Sequence, residues 1–130
     1  MTGVADVEPI TIAAAVMVVI VAGLHVYFLV LEMFLWRTPF GLRTFRMSKE
    51  VADSSAVLAA NQGLYNGFLA AGLLWALVAY GVEDGSAILT FFLLCVIVAG
   101  IYGAATVSRR ILFIQALPAV IALVLVWLSR

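Results

Sequence analysis

Four long apolar blocks take up most of this chain, roughly residues 10–36, 55–80, 87–106 and 110–128. A helix needs about 20 mostly apolar residues to cross a bilayer, and each block meets or approaches that length. Inside hydrocarbon every backbone N–H and C=O must find a partner within the protein, which leaves helices and closed barrels. Barrel strands would read as short alternating segments. These blocks are continuous and rich in Ala, Leu, Val and Ile. The expectation is an all-α, integral membrane four-helix bundle, a single four-span domain over residues 1–130. With 66% hydrophobic and 11% charged residues, no stretch is left over for a soluble domain.

The charges sort by loop. Arg37, Arg43, Arg46 and Lys49 lie between the first and second blocks, and Arg109 and Arg110 between the third and fourth. Asp6 and Glu8 precede the first block, and Glu83 and Asp84 follow the second. Cytoplasmic loops carry the excess of Lys and Arg, so both basic loops are placed in the cytoplasm and both termini outside. The long cytoplasmic loop, about residues 37–54, joins helices one and two. Its Phe40, Leu42, Phe45 and Met47 interleave with arginines, which suits a segment at the membrane interface. Ser48 is positioned to cap an extension of the second helix, with Glu50 in its first turn.

The start of the chain has no basic n-region, so the first block reads as a retained helix with Pro9 in its first turn. The formal net charge is zero and no basic face gathers, which gives nucleic-acid binding no support. The one cysteine, Cys95, reads as a small apolar packing residue. Trp36, Trp75, Tyr80 and Trp127 fall near block ends, where aromatic rings anchor at the interface.

Small residues mark packing seams. Ala59, Gly63, Gly67 and Ala71 recur every four positions in the second block, and Ala99, Gly100, Gly103 and Ala104 cluster in the third. Such residues let helices approach closely in lipid, either within one chain or between copies of a homo-oligomer. Pro118 removes a backbone donor inside the fourth block and is expected to kink it.

Against this apolar background a few polar side chains stand out. Glu32, Asn61, Gln62, Tyr102 and Gln115 all count to a similar depth from the basic-loop side, at about 1.5 Å of rise per residue. His25 and Asn66 count deeper. Arg109 and Arg110 stand at the mouth of the same half. Polar groups in hydrocarbon are costly and face a bundle interior or a cavity. These residues read either as interhelical glue or as the lining of a ligand site open to the cytoplasmic side. No nucleophile–base pair, metal cluster or nucleotide loop is present, so no reaction, cofactor or metal is assigned.

Two stretches carry a resemblance. Leu31-Glu32-Met33-Phe34-Leu35-Trp36 with Thr38-Pro39 is one, and the run from Val57 to Leu73 containing Asn61-Gln62-Gly63-Leu64-Tyr65-Asn66-Gly67 is the other. Both resemble the small bacterial membrane proteins catalogued as domain of unknown function 1304 (DUF1304). The resemblance covers nearly the whole chain. It implies a four-span protein of the bacterial inner membrane and assigns no activity.

A second resemblance, to the MAPEG superfamily, rests on fewer residues. It consists of the four helices, the long cytoplasmic first loop, an Asn like Asn61 near the cytoplasmic end of helix two, and Arg109, Arg110 and Gln115-Ala116-Leu117-Pro118 in helix four. The basic and acidic residues that flank the Asn in that superfamily are replaced here by Leu58, Ala59, Ala60 and Leu64. This resemblance implies a trimer and a MAPEG-like bundle binding a small amphipathic or anionic molecule. Arg109 and Arg110 would hold its charge, and Asn61, Gln62 and Tyr102 would orient it. A small transporter and an assembly subunit without a ligand are the alternatives.

Overall fold

The computed structural model describes residues 7–130, so Asp6 lies outside the described residues. It contains five α-helices and one π-helical turn, with no strand among the described residues. The helices are α1 (Pro9–Met33), α2 (Pro39–Phe45), α3 (Lys49–Asp84), α4 (Ser86–Thr106) and α5 (Leu117–Leu128). The π-helical turn, Leu112–Ala116, runs directly into α5. Three helices, α1, α3 and α4, are long and apolar enough to cross a membrane. The apolar stretch Leu112–Leu128 is shorter.

The connection between the first two blocks is more ordered than its sequence suggested. The first helix ends at Met33 rather than near residue 36. Thr38 then caps α2: its Oγ1 accepts from Gly41 N at 3.3 Å and donates to Leu35 O at 2.7 Å. Pro39 occupies the first helical position, where its missing N–H costs nothing. Arg46 closes α2 in the left-handed region at φ 51°, and Ser48 Oγ caps α3 by accepting from Val51 N at 3.2 Å. The basic loop is therefore a short helix followed by the opening turns of α3. Trp36 ties the two together, packing against Phe45 with ring centroids 4.7 Å apart and planes tilted by 45°, and donating to Ser55 Oγ at 3.1 Å.

At 36 residues α3 is about 54 Å long, well beyond a hydrocarbon core of about 30 Å. It bends at Gly81, whose φ of 81° and ψ of −179° belong to a region open essentially to glycine. Helix α1 packs on α3 and α5, and α4 packs on α3, α5 and the π-helical turn. The core between them is built from small and branched residues: Ala14, Val18, Val21 and Ala22 meet Ala70, Leu73, Ala76, Leu89, Leu93, Ala119 and Ala122. The outward faces carry large exposed apolar side chains such as Val57, Val78, Phe91 and Val98, as expected where lipid is the solvent.

The fourth block is not an α-helix from its first residue. Pro118 has no N–H to return to Ile114, and Leu117 N reaches past the α-helical partner to Leu112 O. Where a kink is expected at Pro118, the chain runs through a widened turn just before the proline.

The small-residue row of α3 does only part of what its spacing implied. Ala59 and Gly63 are buried, but Ala71 is exposed. A strict four-residue step drifts by about 40° per step around a helix of 3.6 residues per turn. By the time the row reaches Ala71 the seam has passed to Ala70 and Leu73, which are buried.

Candidate functional site

The pairing of α1 and α3 creates the one buried carboxylate among the described residues. Glu32 is only 5% exposed. Gln62 Nε2 donates to its Oε2 at 2.5 Å, and Asn66 Nδ2 donates to its Oε1 at 2.6 Å. The two amides stand four positions apart on α3 and so share a face. Gly63 lies between them and makes the approach possible. A Cβ added there would sit 3.1 Å from Glu32 Cβ, 3.2 Å from Leu29 O and 2.8 Å from Met33 Cγ. Each carboxyl oxygen thus has one amide donor and no cationic side chain beside it among the described residues.

Next to this clamp an open cleft of about 580 Å³ runs between the end of α1 and the early turns of α3. Glu32 lines it together with Met33, Phe34, Trp36, Ala56, Val57 and Ala60, and Arg37, Thr38 and Asp53 form its polar side. Arg37 Nη1 lies 3.9 Å from Asp53 Oδ1, with both side chains substantially exposed. Such an exposed pair contributes little stability, roughly 0–1 kcal/mol, and its two charges offset each other.

The other residues singled out in the sequence disperse. Asn61 is exposed, one position off the face that carries Gln62 and Asn66. Tyr102 is 71% exposed and lines a separate, almost wholly apolar groove along α4 with Phe91, Leu94, Cys95, Val98 and Ala99. Arg109 and Arg110 are exposed, and Gln115 is half-buried within the π-helical turn. None of these five side chains bonds to Glu32 among the described residues, whose partners are Gln62 and Asn66. The depth count also sorted Asn66 with His25, whereas Asn66 bonds Glu32. The count measured each helix from its own end. Here Glu32, next to the last residue of α1, faces Gly63, well inside α3.

His25 lies two turns before Glu32 along α1 and is fully buried. Its Nδ1 is 2.8 Å from Val21 O. A carbonyl can only accept, so Nδ1 carries the proton and Nε2 of the neutral ring is a bare acceptor. Nε2 is buried and has no partner. Phe28 packs its ring edge-on at 5.3 Å. No group of three or more metal-ligating side chains occurs among the described residues.

Of the residues that line the cleft, only Glu32 was singled out in the sequence as site lining; Trp36, Arg37 and Asp53 are among those that were not. Asp53 is the informative one. It falls within the stretch 37–54 expected as a loop, but stands in the second turn of α3, four residues after Lys49.

The sequence profile of the family described as "Protein of unknown function (DUF1304)" matches residues 19–127. A curated relative, the "Uncharacterized protein YpaA" of Lactococcus lactis subsp. lactis (strain IL1403), is 31% identical over 116 residues, which cover 88% of this chain and 96% of the relative. No solved structure matches the chain. The matched region contains the whole Glu32–Gln62–Asn66 clamp.

Proposed function

This chain belongs to the DUF1304 family, and from that premise we propose that it is a four-span membrane protein binding a small amphipathic molecule in the cleft beside Glu32. One observation carries the reading: a carboxylate 5% exposed, held by two amides, forms part of the wall of an open cleft whose other walls are largely apolar. A buried charge is expensive to maintain and marks function by default within a membrane. Apolar walls with a few convergent polar groups are the usual make-up of a small-molecule site.

Four crossings and an outside position for both termini belong to the same proposal. The stretch Leu112–Leu128 spans about 25 Å, which a modest local thinning of the bilayer would accommodate. The basic residues of α2 and its flanks favour a cleft on the cytoplasmic side of a bacterial inner membrane. Assembly into a homo-oligomer, a trimer on the MAPEG-like pattern, is part of this reading as well.

The test is native mass spectrometry of the gently extracted protein beside its Ala60→Phe variant, which fills the cleft. A co-purifying small molecule lost in the variant supports the proposal. A folded protein that carries none, or carries it equally in the variant, leaves the clamp as interhelical glue in an assembly subunit.

A further inference from the structure

We propose that the molecule taken by the cleft is a cationic amphiphile, an alkyl amine or ammonium whose head group sits against Glu32. This rests on the cleft reading and adds the sign and chemistry of the ligand.

The argument begins with charge. Three ionisable side chains line the cleft: Glu32, Asp53 and Arg37. Arg37 and Asp53 stand 3.9 Å apart and offset each other. Glu32 has no cationic partner among the described residues, so a cationic head group would supply the counter-charge its carboxylate lacks. Arg109 and Arg110, the side chains that would favour an anion, do not line the cleft.

Hydrogen-bonding capacity points the same way. A carboxylate offers about four lone-pair sites, and the two amides occupy two. The remaining sites ask for donors. An ammonium supplies up to three donors and the missing charge together, and charge-assisted bonds of this kind are about twice as strong as neutral ones. A carboxylate or phosphate ligand would supply neither.

The walls select the rest of the molecule. Met33, Phe34, Ala56, Val57 and Ala60 are apolar and suit an alkyl chain rather than a hydrated inorganic ion. Trp36 and Phe34 add aromatic rings, which attract cations lying over their faces.

Three probes of equal chain length separate the possibilities: diazirine-bearing dodecylamine, dodecanol and dodecanoic acid, applied to the full chain in nanodiscs of neutral lipid. Crosslinked positions are read by peptide mapping and labelling is titrated for each probe. We expect the amine to label residues of the cleft at a concentration about tenfold or more below the alcohol, with the acid weaker still. Glu32→Gln keeps an amide-compatible shape but removes the charge, and should bring amine and alcohol to parity. Ala60→Phe leaves the carboxylate untouched and should abolish labelling of the cleft by all three, which keeps the test decisive if Glu32→Gln fails to fold. Equal labelling by amine and alcohol in the unaltered protein, lost in Ala60→Phe, would overturn the amine and retain the cleft. An amine preference that persists in a folded Glu32→Gln protein also overturns it. Labelling indifferent to Ala60→Phe removes both proposals.

Discussion

Asn66 lies thirty-four positions beyond Glu32 in the chain, yet its Nδ2 donates to Glu32 Oε1 at 2.6 Å. Gln62 completes the arrangement on the other oxygen. The acid is on α1 and both amides are on α3, so this contact is also a fastening between the two helices. Asn66→Leu removes one donor and leaves its carboxylate oxygen unpaired. We expect a loss of about 1–3 kcal/mol, read as a lowered Tm in detergent. Gln62→Leu should cost less, because Gln62 is exposed and its loss opens no buried space, whereas Asn66 is half-buried. In a Glu32→Leu background both penalties should shrink sharply, as a double-mutant cycle would report.

Two glycines on the same seam differ in what an added methyl would meet. At Gly63 it would strike Glu32 Cβ and Leu29 O, atoms close to the backbone. At Gly67 it would meet Leu29 Cδ1 at 2.6 Å, the far end of a flexible side chain. Gly63→Ala is therefore expected to lower extracted yield and Tm clearly, by about 1–3 kcal/mol as overpacking does, and Gly67→Ala much less. Equal effects would place the seam elsewhere.

His25 carries a buried acceptor without a partner. Leaving such a group unpaired costs roughly 1–3 kcal/mol, and removing it should recover part of that. His25→Phe, a ring of similar shape, is expected to leave Tm unchanged or raise it. A large drop in Tm would mean that Nε2 is satisfied in the membrane by a molecule that the imidazole holds in place.

Gly81 sits at φ 81° with open space around its Cα. Gly81→Ala meets no clash, so its cost isolates the backbone. A loss of about 1–3 kcal/mol in thermal unfolding is expected from the conformation alone.

The proposed orientation is checked by fusions at the C-terminus. Alkaline phosphatase should be active and green fluorescent protein dark, because six basic residues, Arg37, Arg43, Arg46, Lys49, Arg109 and Arg110, lie in the two loops placed inside. The reverse pattern would invert the protein and move the cleft to the other face of the membrane.

The all-α architecture and the family were legible in the sequence, because both rest on extended signals: long apolar blocks and the stretch from Val57 to Leu73. Gln62 and Asn66 could also be read as neighbours from their spacing of four. What could not be read was how far α1 slides along α3. Glu32 meets Gly63 and its flanking amides only because α3 runs several turns past the end of α1, and nothing local to either helix fixes that offset. Gly63 permits the offset, since a side chain there would crowd Glu32 Cβ and Leu29 O. Tyr102 stands apart from Glu32 for a related reason: depth along a helix says nothing of azimuth, and Tyr102 is exposed on α4.

Both donors to Glu32 ride on a single helix, one turn apart. Rolling α3 about its axis, or sliding it by one residue, would therefore strip both oxygens of the acid at once rather than one after the other. The junction of α1 and α3 is therefore keyed to one rotation of α3 as well as to one depth.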